Sequence, residues 1–464
     1  MNGRVLRIEL RRSAAPWAGL VAGAGALGFL ALLDDPWWGG TAAGTSQWTP
    51  MALLTRTTLY YVWPLVVGIG ALQGLRDARS RTTELLATTP RPSWSRAMLP
   101  AGATAIALVS GFGLLTLWGG FQVFLGGGSY THLGWLPISL VGALALVAGA
   151  LFGMGVARVL PSVITPPLLV VACLAAIILT QQNADGVVPS GSAPNRVSLL
   201  SPAAPPPREM LLTLASQVHL GQTVWLLGLL ATGFALLVAV GHRARLLAAV
   251  PVLVGAALAL SVLPAAPRQS YVIDQAAAAL VCDGPVCVTQ AHAARLEEMA
   301  PRGREALLLL SRALGDKAPD SVREETTLRA SGDQRKLAAG TVLVDFDDPL
   351  LAGREGRELT RYLVAQGLAP NCSARTAQES GGLDGVVAQS IVAGWALGDR
   401  ALEPLEEKAT DEYSRAAWKE GEDAWAGLAA AQPAEQRARI AAGHQESLSC
   451  TYEAIKALKG GASR

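Results

Sequence analysis

The chain has 464 residues, 51% of them hydrophobic and only 16% charged, with a mean hydropathy of +0.34. An ordinary soluble chain carries about 25% charged residues, so these values exclude a purely soluble enzyme and exclude disorder as the dominant state. The net charge of +2 hides a partition: residues 1–267 carry 15 Arg, no Lys and seven acids, whereas residues 268–464 carry 23 basic and 29 acidic groups. The near-balance gives no reason to expect nucleic acid as a partner.

Residues 1–13 are a short basic segment in which Val5, Leu6, Ile8 and Leu10 form an apolar stripe opposite Arg4, Arg7 and Arg11. It reads either as an amphipathic helix on a membrane surface or as basic residues that fix orientation. Residues 14–266 then read as a transmembrane domain. A bilayer core about 30 Å thick needs roughly 20 apolar residues per helix. Stretches at about 14–33, 57–75, 98–125, 135–157, 165–181, 223–241 and 247–266 meet or approach that length. The first outruns the ~7–15-residue apolar core of a signal peptide and ends in a poor cleavage site, so it reads as an anchor.

Basic residues orient the bundle. With the N-terminus inside, twelve arginines fall in cytoplasmic segments and three, Arg56, Arg196 and Arg208, on the other side; this is the positive-inside pattern. An odd number of spans sends residues 267–464 outside. Trp37, Trp38, Trp48 and Trp135 fall at outer helix ends, where amphipathic rings settle. Arg56 is read as snorkelling from such an end. The spans lack the acids and histidines at depth that a proton- or ion-coupled carrier needs. No Gly-x4-Gly-Lys-Ser/Thr loop occurs, so any ATP hydrolysis belongs to another chain.

The longest cytoplasmic loop, residues 76–97, joins the second and third spans. Its first part fits a short helix with Leu85 and Leu86 on one face, stopped by Pro90 and Pro92. The run Arg81-Thr-Thr-Glu84-Leu85-Leu86-Ala-Thr-Thr-Pro90 resembles the first cytoplasmic loop of type-2 ATP-binding-cassette (ABC) transporter permeases, and the overall arrangement resembles actinobacterial members with a C-terminal extracytoplasmic domain of unknown function. That resemblance implies a coupling helix docking on an ATPase subunit. Glu84 is then its acidic contact, Leu85 and Leu86 its apolar face, Pro90 its stop, and Arg79, Arg81 and Arg91 its flanking polar contacts. It covers about 20 residues directly, with the hydropathy layout extending it over residues 1–245. The seventh span and the domain behind it depart from the six-span family core. The plain alternative is a basic interfacial loop that only satisfies topology.

The outer loop 182–222 is expected to lie irregularly over residues 185–207 and to re-enter as a short helix over 209–218. Small residues such as Gly142 and Gly149 permit close helix packing and a dimer seam. In residues 267–464, the pattern predicts a helix over 304–314 closed by Gly315, strands over 326–330 and 341–346 and a core helix carrying Leu383, Val387, Ile391 and Trp395. A helix bearing Trp418 and Trp425 follows, then a long helix from Pro433 to just before Gly460. Cys282, Cys287, Cys372 and Cys450 all lie here. An oxidising compartment favours Cys282–Cys287, across Asp-Gly-Pro-Val, and Cys372–Cys450; a zinc site on Cys282, Cys287 and His292 is the alternative. Asp345, Asp347 and Asp348 read as a solvated turn or a calcium cradle. No His-Glu-x-x-His occurs, so a zinc hydrolase is disfavoured.

These observations predict an all-α polytopic membrane bundle, a six-span permease core plus a seventh span, followed by an α-rich α+β extracytoplasmic domain. The function they imply is the permease subunit of an ABC exporter in the plasma membrane. It performs no covalent chemistry, needs no cofactor or metal, is embedded in membrane lipids and works as a permease homodimer with ATPase subunits. The alternative is a membrane-anchored extracytoplasmic binding or sensory protein.

Overall fold

Continuous apolarity with no polar stripe produces helices that bury small residues against one another and leave large ones facing outward. The computed structural model describes residues 15–32, 47–76, 92–126, 130–180, 183–185, 188–190, 193–204, 211–327, 335–348, 350–351, 353–371, 381–406, 411–450 and 454–460. Its first half contains α1 (Ala15–Leu30), α2 (Trp48–Thr57), α3 (Leu59–Gly74), α4 (Ser93–Leu125), α5 (Trp135–Val159) and α6 (Thr165–Thr180). The hairpin β1 (Asn183–Asp185)–β2 (Val188–Ser190), the turn α7 (Asn195–Ser198) and β3 (Leu212–Leu214) follow, then α8 (Ser216–Val238), α9 (His242–Leu247) and α10 (Val250–Val262).

Among the described residues, four elements are long and apolar enough to cross a membrane: α4, α5, α8 and α9 with α10. The pair α2–α3, bent by 49° at Thr58, is a fifth. The apolar helices α1 and α6 have 16 residues each. Large side chains such as Leu114, Phe124, Val171 and Leu253 are exposed on the outer faces of these helices, as suits an apolar solvent.

Glycines set the packing. A methyl on Gly70 would strike the carbonyl of Ala150, one on Gly74 that of Met154, and one on Gly153 that of Val67; α3 and α5 therefore run side by side, in the same direction, at backbone distance. Gly142 and Gly149, candidates for a dimer seam, instead receive Phe112 and Trp63 of the same chain, and Trp63 Nε1 donates to Ala145 O at 2.8 Å. The pairs Gly19–Ala107 and Gly23–Gly111 align α1 with α4, and Gly228 against Pro251 with Gly221 against Leu263 sets α10 antiparallel to α8.

These directions give the bundle two unlike ends. At one end the loop segments 130–134, 193–204 and 211–215 gather with the start of α2 and residues 263–274, joined by the antiparallel pair β3–β4 (Tyr271–Ile273) and by Asn195 Nδ2 donating to Pro264 O at 2.8 Å. The opposite end carries Arg76, Arg96, Arg158, Arg243 and Arg245; the first end carries Arg56, Arg196 and Arg268 among the described residues. The expected helix over 209–218 is not formed: residues 212–214 pair with a strand from beyond α10, and α8 begins only at Ser216. Residues 93–97, assigned to the loop 76–97, are the first turns of α4, which starts directly after Pro92.

The second half stacks helices on a four-stranded sheet. The strands are β5 (Leu280–Asp283), β6 (Val286–Thr289), β7 (Ser321–Glu324) and β8 (Thr341–Val344) in that order, with β5–β6 an antiparallel hairpin and β6–β7–β8 parallel. The helices are α11 (Leu296–Leu314), α12 (Gly356–Leu368), α13 (Gly381–Leu397), α14 (Glu412–Ala430), α15 (Pro433–Leu448) and α16 (Ala454–Leu458). Val286, Val322 and Val342 meet Leu310, Leu363, Ile391 and Trp418 in one core.

The expected core helix and its Val387 and Ile391 are found as read. The helix closed by Gly315 starts earlier, at Leu296. Of the strand expected over 326–330, residues 326–327 are not strand and 328–330 lie outside the described residues; a strand lies at 321–324, where alternating burial serves the core. The long last helix breaks after Leu448, because Cys450 takes a positive φ of 56°.

Candidate functional site

The terminal domain is fastened to the bundle at the end described above, and the fastening is polar. Gln47 Nε2, just ahead of α2, donates to Ala291 O at 3.1 Å in a buried bond. Thr49 Oγ1 lies 3.2 Å from His132 Nε2, and Gly134 N donates to His132 Nδ1 at 3.0 Å. Nδ1 is thereby an acceptor, so the ring is neutral and its proton sits on Nε2. Burial lowers the His132 pKa, against the pull of Asp274, whose carboxylate is 3.8 Å from Nδ1. Trp48 and Trp135 stack at 5.4 Å beside this contact.

Inside the same end lies a node built on Arg56. The bend at Thr58 turns its side chain into the bundle, where it is fully buried. Arg56 Nε donates to Pro202 O at 3.1 Å and Nη2 to Gln222 Oε1 at 2.7 Å. Gln222 Nε2 in turn donates to Leu199 O at 2.8 Å, and Thr57 Oγ1 to Ala204 O at 2.9 Å. One arginine thus holds a strap, residues 199–204, across the bend and against α8. The expectation that Arg56 snorkels is overturned: its reach is satisfied by a glutamine 166 positions away. The signal for this in the sequence is the polar run Thr55-Arg-Thr-Thr58 together with Gln222 in the polar first turns of an otherwise apolar helix.

A small cleft, with room for about one water, opens beyond the carboxyl ends of β6, β7 and β8, where open parallel sheets place their sites. His292 Nδ1 donates to Glu324 Oε1 at 2.7 Å, and Thr289 N donates to Glu324 Oε2 at 2.7 Å. The ring stacks on Phe346 at 4.2 Å. Leu211 and Ile273, from the β3–β4 joint, form another wall. His292 and Ala291 share one 3-10 turn, Gln290–Arg295, so the cleft is one residue from the Gln47 bond.

The zinc alternative is overturned: Cys282 and Cys287 are bonded across the β5–β6 hairpin, and His292 is spent on Glu324. Cys450 is also disulfide-bonded; Cys372 lies outside the described residues. Asp345, Asp347 and Asp348 form a turn that is partly buried rather than fully solvated. Asp345 Oδ1 accepts from Asp347 N at 2.9 Å, and Asp348 Oδ2 accepts from the Tyr362 hydroxyl at 2.9 Å, while burial raises the Asp348 pKa. No group of three metal-ligating side chains occurs among the described residues.

The coupling candidates Arg79, Arg81, Glu84, Leu85, Leu86, Pro90 and Arg91 lie outside the described residues, as does the segment 1–13. Their flanks are described: Arg76 follows α3 and Pro92 precedes α4, both at the arginine-rich end. No protein-family model, curated protein or solved structure matches this chain.

Proposed function

We propose that the chain is the permease subunit of an ABC transporter, an exporter that works as a dimer with two separate ATPase subunits. The observation that carries the reading is the Arg81-Thr-Thr-Glu-Leu-Leu-Ala-Thr-Thr-Pro90 run in the loop joining α3 to α4. Both ends of that loop lie at the arginine-rich end of the bundle, which the positive-inside rule makes cytoplasmic. On this reading α1 and α6 also span, giving seven spans, and the terminal domain is extracytoplasmic with its disulfides. Closure of the ATPases on ATP pushes the Glu84–Pro90 element. The push travels along α3 to the bend at Thr58 and works on the strap held by Arg56.

The test is isolation of the full chain from its native membrane and a search for an ATPase that co-isolates with it. A stable complex supports the reading, and the absence of any co-isolating ATPase ends it. A second reading, an outer domain that binds a ligand and signals through its anchor, draws support from the cleft beside the Gln47–Ala291 bond. It requires activity to survive scrambling of residues 76–97.

A further inference from the structure

A buried cation without a counter-charge needs a reason. Arg56 has no carboxylate partner among the described residues, and its Nη1 has no hydrogen-bond partner. Its two acceptors are neutral, a backbone carbonyl and a side-chain amide. Among the described residues, the titratable side chains in electrostatic reach are His219 and Tyr271, neither of them a carboxylate and both neutral near pH 7. Burying an uncompensated ion is far more costly than burying a neutral amide. A latch alone does not require it, because a neutral donor of similar reach would meet Pro202 O and Gln222 at lower cost.

A second orphan faces the same place. His219 Nδ1 is buried and has no partner. It stands one helical turn from Gln222 on α8, so both share the face turned to Arg56. A guanidinium nitrogen and an imidazole nitrogen, both unbonded, are what one oxyanion would complete: it accepts from each and supplies the missing charge. The site lies at the bend of a helix that crosses the apolar half of the molecule, and irregular helix is where ion and substrate sites are built in membrane proteins. What covers it, the strap 199–204, is held by bonds to neutral groups that Arg56 can exchange for an anion.

We propose that Arg56, His219 and Gln222 form a binding site for an anionic oxygen group, a phosphate or carboxylate, that replaces the strap on Arg56. Resting on the transport reading, the site makes the cargo an anionic molecule that enters as the strap lifts. A lipid headgroup and a free solute offer the same oxyanion, and the chemistry at Arg56 is the same for both.

The experiment uses the full chain in phosphatidylcholine nanodiscs and follows thermal unfolding and tryptophan fluorescence. One arm adds inorganic phosphate; the other replaces part of the lipid with phosphatidylglycerol. At least one arm should raise the Tm saturably, and the responding arm identifies the source. Arg56→Gln should weaken that response about 10- to 100-fold, the span of one or two charge-assisted hydrogen bonds. His219→Ala, which leaves both Arg56 bonds in place, should weaken it about 10-fold. Arg56→Lys should retain part of it. The proposal is overturned if both substitutions respond as the wild type does, or if neither anion acts, in which case a water completes Nη1. These measurements need no ATPase. An Arg56-dependent response without an ATPase partner sinks the transport reading alone, and a complex without that response sinks the site alone.

Discussion

Two fully packed arginines show how differently the halves of this molecule treat charge. Arg361, in the terminal domain, is 2% exposed and meets Asp399 at 2.5 Å and Glu403 at 2.6 Å. Arg56, in the apolar half, is 0% exposed and meets only a carbonyl and an amide. Both leave guanidinium N–H groups unbonded, so the orphan atom is not the difference; the counter-charge is. The terminal domain neutralises Arg361, whereas Arg56 at the bend of the bundle has no counter-charge among the described residues. The first arrangement has its counter-charges in place; the second leaves Arg56 Nη1 and the nearby His219 Nδ1 without a bond.

Substitution breaks the comparison open. Arg361→Met removes the buried one of two arginines on Asp399, which is 7% exposed and keeps Arg357 at 3.0 Å; it should destabilise the terminal domain by about 2–4 kcal/mol, at or below the usual cost of halving a buried pair. Arg56→Met strands only neutral acceptors and should cost about 1–3 kcal/mol. Thermal unfolding of the full chain in detergent reads both, and equal losses would remove the contrast.

The halves also differ in what holds them. The bundle packs backbone against backbone, so Gly153→Val, which drives a side chain into the Val67 carbonyl, should cost about 1–3 kcal/mol. Gly113→Val, where nothing lies within 4 Å, should be tolerated. The terminal domain instead relies on a side-chain core and a covalent staple. Breaking Cys282–Cys287 with paired serines should lower its stability by about 2 kcal/mol, the loop-closure value for so short a ring; unfolding with and without reductant checks this.

The smallest effect separates the halves by pH. His444 donates from Nδ1 to Leu368 O at 3.0 Å, and burial lowers its pKa below the ordinary 6.5. A lowered folded-state pKa means that the unfolded chain binds the proton first. The His444 contribution is therefore complete above about pH 6.5 and fades as pH falls below it. His444→Gln should flatten that part of the terminal domain's stability profile, measured by denaturant titration between pH 7.5 and about pH 5. His132 has the same sign at the junction, so it should weaken docking over the same range.

Much of the bundle was legible because helices in lipid satisfy every backbone group internally and so announce themselves as long apolar runs. The hairpin disulfide was equally local: Cys282 and Cys287 flank a turn. What stayed hidden depends on partners far along the chain. Leu212–Leu214 are a strand only because Tyr271–Ile273 return beside them. Arg56 turns inward only because Gln222 and the Pro202 carbonyl meet it. The cleft unites Leu211, His292, Glu324 and Phe346 from four separate segments, and no spacing rule links them. Glu84 and its neighbours are the reverse case, a local pattern whose meaning lies in another molecule.

ATP hydrolysis by the reconstituted complex of this chain with an ATPase that co-isolates with it, comparing wild type with Glu84→Ala and Leu85→Ala, tests the central claim most directly. If the loop 76–97 carries the stroke, each substitution lowers stimulated hydrolysis at least several-fold while the permease stays folded in the membrane. Unchanged stimulated hydrolysis in both would contradict the account.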